Sequence, residues 1–547
     1  MATENNANIG FEKQIWDAAC VLWGHIPAAE YRKVIVGLIF LRYISSAFEK
    51  RYQQLVDEGD GFEDDKDAYA EDNIFFVPED ARWSKIASSA HTPEIGTVID
   101  DAMRAIEKEN TTLKNVLPKN YASPDLDKRV LGDVVDLFTN MDMGDTEESK
   151  DLLGRTYEYC IQQFAAYEGV KGGEFYTPAS IVKTIVAILK PFKNCRVYDP
   201  CCGSGGMFVQ SAALVKSKQG NLNSINVYGQ EKEPATYRLA KMNLALRGIS
   251  HNLGSEADSS FTHDLHEGLR FNYIMANPPF NLKGWYNDNL KNDPRWADYA
   301  TPPESNANYA WILHILSHLK ADGVAGFLLA NGALNDSDTL DIRQKLIEND
   351  RVEVIVVLPR ELFITTDISV TLWILNRNKK GGNYHGRNLR NREHEILFMD
   401  LRQWKENPVK HENKKKVFLS SKDSKNTENI TINLAGQIEK AAEIYHTWQN
   451  EGTVSEKYAV PELYRSVKVY DSQLTDEERK NNVPTIESKG YTLTPSKYIE
   501  FIDHDLKIDY EKEMARIQAE MQEIMKQEKE SQQMLEDAFR GIGYGID

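Results

Sequence analysis

The chain has 547 residues, of which 41% are hydrophobic and 27% are charged. This length exceeds the usual size of one hydrophobic core, so it predicts two or three domains, and the composition excludes wholesale disorder. The net charge of −18 disfavours tight nonspecific binding to a phosphate backbone, because such binding depends on Lys and Arg displacing counterions. A nucleic-acid substrate would therefore need something else to hold it.

Residues 1–150 are predicted to form a mainly helical domain. Apolar residues recur three or four apart from Phe11 to Leu55, and Pro27 separates two helices there. A loop is expected over 57–71, and helical patterns return over 93–109 and 125–139. The most apolar stretch, 34–44, is too short to cross a bilayer. No secretion signal begins the chain, so we expect a cytoplasmic location and no membrane partner.

After Gly173, short apolar runs alternate with helical segments, which is typical of a parallel sheet built from strand-helix-strand units. The predicted fold class is α/β, with a doubly wound Rossmann-like domain over 151–450. The predicted strands are 196–199, 226–230, 273–276, 324–329, 352–358 and 370–375. The predicted helices are 207–216, 235–246, 308–319 and 338–348.

Two further segments leave alternatives open. The stretch Arg377–Lys425 carries 14 Lys and Arg against 6 Asp and Glu, so it is either a solvated insertion or a phosphate-contacting surface. In the C-terminal region, 451–547, an amphipathic helix is predicted that packs either on another subunit or on its own domain. Its heptad-spaced apolar residues are Met514, Ile517, Met521 and Ile524.

A glycine-rich turn, Asp199-Pro-Cys-Cys-Gly-Ser-Gly-Gly206, directly follows the first predicted strand and precedes a helix. Glycines allow the backbone to pass close beneath a ligand. Alone, the turn could serve a dinucleotide, a phosphate or a purely structural role. The next strand ends at Glu231, where a carboxylate can accept hydrogen bonds from ribose hydroxyls, and Asp258 could accept from an adenine amino group.

The most specific pattern is Asn277-Pro278-Pro279-Phe280, at the end of an apolar strand. An exocyclic amine on a nucleobase is a poor nucleophile because its lone pair is delocalised into the ring. Asn277 Oδ1 and the Pro278 carbonyl can both accept hydrogens from such an amine, which favours a pyramidal nitrogen, while the prolines stiffen the acceptors. Phe280 offers a face on which an extruded base can stack.

Upstream, Gly173-Glu174-Phe175-Tyr176-Thr177-Pro178 leads into a predicted helix. Thr177 is well placed to cap that helix, and one of the two aromatic residues could cover an adenosyl group. In this order, the three motifs resemble those of the modification subunits of type I restriction-modification enzymes. The helical N-terminal region and the segment Gly490-Tyr491 to Tyr498 are similar as well, so the resemblance is nearly end to end.

The resemblance implies an N6-adenine DNA methyltransferase that uses S-adenosyl-L-methionine. It also implies DNA as substrate, a specificity subunit, a restriction subunit and a second copy of the chain as partners. The predicted catalytic residues are Asn277, Pro278, Pro279 and Phe280. The predicted cofactor contacts are Gly173, Glu174, Phe175, Tyr176, Thr177, Pro178, Asp199, Gly203, Ser204, Gly205, Glu231 and Asp258.

Other interpretations remain. The Asn-Pro-Pro-aromatic pattern is also similar to enzymes that methylate guanine N2 in ribosomal RNA or a glutamine side chain. Methyl transfer to cytosine N4 is another variant, which is less favoured because Asn and not Ser precedes Pro278. A non-catalytic scaffold is the alternative from another class. We expect no metal: five cysteines lack paired ligand spacing, and His263 and His266 are expected at the surface. Direct transfer to the amine needs no cysteine nucleophile.

Overall fold

The computed structural model of the chain describes residues 28–70, 74–140, 177–219, 225–360, 362–363, 369–403, 437–452, 462–499 and 510–541. The chain divides into two compact units, residues 1–499 and residues 500–547. Among the described residues, no helix is both long enough and apolar enough to span a membrane.

The N-terminal part is helical, as predicted. Its buried apolar side chains, such as Phe40, Met103 and Val134, form one cluster that also takes in Leu239 and Met242 from a helix of the α/β part. The helices predicted over 93–109 and 125–139 are present and begin two and three residues later than expected, and a short helix lies within the loop predicted over 57–71. The helices are Ala28–Glu58, Lys66–Ala70, Trp83–Ser88, Ile95–Glu109 and Lys128–Thr139.

The α/β part is built on a nine-stranded sheet of order β11-β10-β6-β7-β5-β4-β1-β2-β3. All six predicted strands are present within it. The strands are β1 Arg196–Asp199, β2 Asn226–Gly229, β3 His251–Asn252, β4 Phe271–Ala276, β5 Leu319–Ala330, β6 Val352–Val357, β7 Val370–Asn376, β10 Glu395–Asp400 and β11 Tyr464–Lys468. A separate hairpin pairs β8 Gly382–Tyr384 with β9 Arg387–Leu389.

The expectation of a purely parallel sheet is wrong. Strands β1 to β5 pair in parallel, but β7 lies antiparallel between β5 and β6, and β11 is antiparallel to β10. Apolar periodicity reports which residues are buried and carries no information about strand direction, so this reversal could not be seen in the pattern. The doubly wound fold class itself is confirmed.

Helices cover both faces of the sheet and create two apolar clusters, one on each side. Parallel strands end at the same edge, so the residues that follow β1, β2 and β4 are brought together there. The helices are Ala179–Leu189, Gly206–Gln219, Pro234–Leu246, Asn308–Ser317, Leu340–Glu348, Gln437–Glu451 and Asp476–Lys480.

The described part of the basic stretch, 377–403, is not simply a solvated insertion. Strand β10 is buried, and Lys379 and Arg392 are 3% and 0% exposed. Arg392 Nε donates to Glu353 Oε1 at 2.7 Å, in a network that Tyr445 joins through its hydroxyl. The remainder, 404–425, lies outside the described residues.

The predicted domain boundaries at 150 and 450 stay a prediction. Strand β11 follows residue 450, so the sheet extends into the predicted C-terminal region. The described residues of the second compact unit form one helix, Tyr510–Gly541. At about 100° per residue, its four heptad-spaced apolar residues fall on one face, as an amphipathic helix requires.

Candidate active site

A cavity of about 580 Å³ opens at the carboxyl ends of β1, β2 and β4. This volume falls within the range of about 300–1,000 Å³ that is typical of small-molecule sites. Eight predicted site residues line it: Thr177, Asp199, Gly203, Ser204, Glu231, Asp258, Asn277 and Pro279. Pro178, Gly205, Pro278 and Phe280 adjoin lining residues in the chain without lining the cavity. The predicted contacts from Gly173 to Tyr176 lie outside the described residues.

The glycine-rich turn forms a backbone cradle under the cavity. Asp199 Oδ1 accepts from the Cys201 amide at 3.0 Å, and the Gly205 amide donates to the Cys202 carbonyl at 2.8 Å. Gly203 has a φ of +54°, and a Cβ built there would meet nothing within 4 Å. A side chain at this position would therefore be strained and would project into open space that a ligand can use instead.

Burial raises the pKa of Asp199 to about 7, and the negative charge of Glu231 adds to the shift. Glu231 itself is held by two backbone amides: Oε2 accepts from Gly203 at 3.0 Å and Oε1 accepts from Glu233 at 2.9 Å. These two bonds hold the Glu231 carboxylate at the wall of the cavity, next to the glycine-rich turn. The arrangement fits a nucleoside whose ribose hydroxyls reach Glu231.

Asp258 lies at the side of the cavity and is tied to the adjacent loop. Its Oδ2 lies 2.6 Å from His263 Nδ1, and its Oδ1 accepts from the Ser259 amide at 2.7 Å. The hydrogen bond from His263, followed by that from Ser259, lowers the pKa of Asp258. The carboxylate is thus ionised at neutral pH and is an acceptor for an amino group.

Asn277 follows β4 directly and lines the cavity. Its Nδ2 donates to Thr177 Oγ1 at 2.8 Å, whereas its Oδ1 is buried and has no hydrogen-bond partner among the residues that the structure describes. An orphaned buried acceptor is costly, so it marks a place where a donor from outside the chain can bind. The prediction that Thr177 caps the following helix is wrong, because the N-cap is Pro178 and no side chain bonds there.

Phe280 is half-buried against the sheet. Its ring packs edge-to-face on Phe363, with centroids 6.3 Å apart. The role of Phe280 in base stacking therefore stays a prediction.

An aromatic wall, which the motifs did not predict, also lines the cavity. The Phe261 ring lies 5.0 Å from Trp285 and 4.1 Å from Trp311, centroid to centroid, and all three side chains line the cavity. Trp311 Nε1 is buried without a hydrogen-bond partner. The signal available in the sequence was the concentration of tryptophans just after the Asn-Pro-Pro-Phe motif.

Arg295 holds the loop that carries Phe261 of this wall. All five of its N–H groups are used: two bond to Asp293, two to the carbonyls of Ser260 and Phe261 at 2.6 and 2.5 Å, and one to His314 Nδ1 at 3.0 Å. A planar guanidinium can satisfy such a set at once, which a lysine ammonium cannot. Arg295 therefore sets the position of the loop beside Asp258.

The histidines near this loop are structural. His266 is 2% exposed and bonds to a backbone carbonyl of β2, so the expected surface position is wrong. Asp264, His314 and His318 lie close enough together to suggest a cation site. However, His314 Nδ1 accepts from Arg295, so its proton sits on Nε2 and that nitrogen has no lone pair for a metal.

Comparisons with known proteins agree with this geometry. A family model described as N-6 DNA Methylase matches residues 148–505, and one described as HsdM N-terminal domain matches residues 11–138. The HindI methylase subunit of a type I restriction enzyme from Haemophilus influenzae is 34% identical over 86% of this chain and 100% of its own length. The MjaIX methylase subunit from Methanocaldococcus jannaschii is 30% identical over 98% of this chain and 92% of its own length.

A solved methyltransferase subunit of a type I restriction-modification system from Streptococcus thermophilus shares the fold. Its TM-score is 0.69 at 22% identity, and the match covers 90% of this chain and 100% of that one. Family model and relatives together span the helical N-terminal part, the sheet and its cavity. The chain therefore belongs to the N-6 DNA methylase family, among the methylase subunits of type I restriction enzymes, and is an N6-adenine DNA methyltransferase.

Proposed function

We propose that the cavity holds S-adenosyl-L-methionine beside a flipped adenine, and that Asn277 polarises the N6 amine of that base. The observation that carries this proposal is the buried Oδ1 of Asn277, which has no partner within the described part of the chain and lies in a cavity of suitable size. An adenine amine carries two N–H donors, and one of them can pair with this acceptor.

The proposed cofactor site consists of the turn from Asp199 to Gly205 and the carboxylates of Glu231 and Asp258. Glu231 accepts from the ribose hydroxyls, and Asp258 accepts from the adenine amine of the cofactor. The remaining proposed contacts are Gly173, Glu174, Phe175, Tyr176, Thr177 and Pro178. When bound, S-adenosyl-L-methionine supplies an electrophilic methyl group on a sulfonium.

The chain's own contribution is to prepare the amine. Asn277 Oδ1 and the Pro278 carbonyl accept its two hydrogens, which draws the lone pair out of the ring plane. Pro278 and Pro279 stiffen the acceptors, so little reorganisation is needed when the base arrives. Phe280 stacks on the extruded base. The amine loses its proton after it has formed the new bond, so no general base is required beforehand.

Partners must supply sequence choice and much of the DNA affinity. With a net charge of −18, the chain alone is a poor ligand for a phosphate backbone. We include a specificity subunit, a restriction subunit and a second copy of the chain in the proposed complex. The helix Tyr510–Gly541, with its single apolar face, is the proposed element for subunit association.

Transfer of tritiated methyl groups to unmethylated DNA tests the proposal. The chain is assayed together with its specificity protein, alongside Asn277→Ala and a control, Asn349→Ala, which removes an exposed amide at the end of a helix. We expect Asn277→Ala to lower incorporation by about 10²–10³-fold, the loss seen when one preorganised hydrogen-bonding group is removed. The control should retain activity.

Binding of S-adenosyl-L-methionine, measured by calorimetry, should change little in Asn277→Ala. Equal incorporation by wild type and Asn277→Ala would refute the role of Asn277. A wild-type complex that binds the cofactor but methylates no DNA would refute the assigned substrate.

A further inference from the structure

One wall of the cavity is a continuous stretch of chain, residues 277–285. Six of its residues line the cavity: Asn277, Pro279, Leu282, Lys283, Gly284 and Trp285. Oδ1 of Asn277 is buried, whereas Lys283 is exposed, so the stretch runs from the depth of the cavity to its mouth. Lys283 therefore stands at the opening through which a base must enter.

Contacts on both sides of Lys283 hold its backbone in place. Before it, the Leu282 carbonyl accepts from the Ala307 amide at 3.0 Å. After it, Trp285 is 5% exposed, and its indole N–H donates to the Pro303 carbonyl at 3.3 Å. The Lys283 side chain is thus attached at a fixed point of the cavity mouth.

The ammonium group of Lys283 is available to an anion from outside the chain. Among the residues that the structure describes, none forms an ion pair or a hydrogen bond with its Nζ. Lys232 is the other lysine of the cavity lining, and it is flanked in the chain by Glu231 and Glu233, whose charges offset its own. Lys283 is therefore the better candidate for an anion at the mouth.

An extruded nucleotide brings an anion to this position. When a base enters the cavity and its amine reaches Asn277, the sugar and the two flanking phosphates stay outside, because they remain part of the DNA strand. Each phosphate is negatively charged, and a lysine ammonium binds such a group as a point charge. A fixed and unpaired cation at the mouth of the cavity matches this requirement.

We propose that Lys283 binds a backbone phosphate that flanks the target adenine, and that it thereby holds the extruded nucleotide in the cavity. This inference rests on the proposed function, in which Asn277 receives the amine of that base. The contact belongs to the chain itself, whose net charge of −18 otherwise disfavours phosphate binding.

The salt dependence of DNA binding by the complete complex tests the inference. The probe is a duplex that carries the DNA motif which wild type methylates. One phosphate contact contributes about 0.9 to the slope of log Kd against log salt concentration. We expect Lys283→Gln to reduce the slope by about this amount, and to raise the Kd and the KM for DNA by about 5- to 10-fold at about 0.1 M salt. Lys283→Arg keeps the charge and should stay within about threefold of wild type.

Lys291→Gln is the matched control. Lys291 is exposed on the same loop but does not line the cavity. The same loss of charge there should leave the salt slope and the KM for DNA as in wild type. In both variants the Kd for S-adenosyl-L-methionine should stay within about threefold of wild type, because neither lysine is a proposed cofactor contact. Melting temperatures establish that the variants are folded.

Neutral linkages identify the phosphate. Two duplexes each carry one methylphosphonate, which lacks the negative charge, on the 5′ or on the 3′ side of the target adenine. At the phosphate that Lys283 binds, the neutral linkage should weaken binding by wild type about as much as Lys283→Gln does, and should weaken binding by Lys283→Gln little further. At the other linkage, the two losses should add.

Three results would overturn the inference: an unchanged salt slope and KM for DNA in Lys283→Gln, an equal loss in Lys291→Gln, or additive losses at both neutral linkages. A rise in the Kd for S-adenosyl-L-methionine that accounts for the loss of activity would also overturn it, because the anion at Lys283 would then be the carboxylate of the cofactor. All variants are compared with an active wild type. These results are therefore distinct from failure of the proposed function, in which wild type would not methylate DNA.

Discussion

Replacing Arg295 with lysine should weaken cofactor binding without removing any residue that lines the cavity. The guanidinium holds the carbonyls of Ser260 and Phe261 beside Asp258. A lysine ammonium offers three donors from one point, so at least two of the five hydrogen bonds are lost. Each hydrogen bond to a charged group contributes about 1.5–3 kcal/mol. The Arg295 side chain is only 10% exposed, so solvent screens these bonds weakly.

Loss of one such bond from the loop corresponds to an increase of about 10- to 150-fold in the Kd for S-adenosyl-L-methionine. Calorimetric titration measures this directly, and steady-state methylation should show a raised KM with kcat much less affected. Arg104→Lys is the control, because Arg104 occupies an exposed position on a helix of the N-terminal part. If Arg295→Lys is folded and binds the cofactor as wild type does, Arg295 does not position the loop.

Two further predictions concern buried charges. Arg392→Met removes the partner of the fully buried Glu353 and should destabilise the protein by about 3–5 kcal/mol, as uncompensated buried charges do; a melting temperature equal to that of wild type would contradict this. Because the pKa of Asp199 is raised to about 7, the folded protein binds a proton at this carboxyl group more tightly than the unfolded chain does. The free energy of unfolding of wild type therefore falls as pH rises from about 4 to 7. Asp199→Asn cannot ionise, so its free energy of unfolding relative to wild type should rise from about pH 4 to 7, by at most about 1.4 kcal/mol per pH unit, and stay constant above that range. Denaturant unfolding at several pH values measures this, and parallel pH profiles for the two proteins would exclude the shift.

Local patterns were sufficient for much of the fold. Strand β4 and the helix Asn308–Ser317 are almost entirely apolar, and each is buried along nearly its whole length. A continuous apolar run predicts a buried element, and the length of the run separates a short strand from a longer helix. The sequence was therefore sufficient to predict these two elements. The three motifs were equally visible, because two of them follow a predicted strand, the third precedes a predicted helix, and all three contain residues whose chemistry is specific to that place.

The errors about buried charges and histidines share one physical cause: the residue types in a segment do not show which groups each side chain contacts. Arg392 and Lys379 added to a positive local charge, yet both are buried, where Glu353 and Asp350 neutralise them. His266 lacked metal-ligand companions in the sequence, but it is buried against a carbonyl of β2. Such contacts depend on the three-dimensional arrangement and not on local spacing.

The same reason explains what was missed at the site. Asn277 and Thr177 were each identified, but nothing local could show that the fold brings side chains 100 positions apart within 2.8 Å of each other. Phe261 and Trp311 come from different elements and meet only when the sheet is assembled. The sequence therefore predicted the candidate site residues, and the fold was needed to show which groups contact them.

The most direct test of the central claim is methylome sequencing of cells with and without this gene, in the presence of its specificity partner. The account predicts loss of N6-methyladenine at one split, two-part DNA motif when the gene is absent, and no recovery when Asn277→Ala is supplied. Unchanged N6-methyladenine, or loss of a methylated cytosine instead, would contradict it.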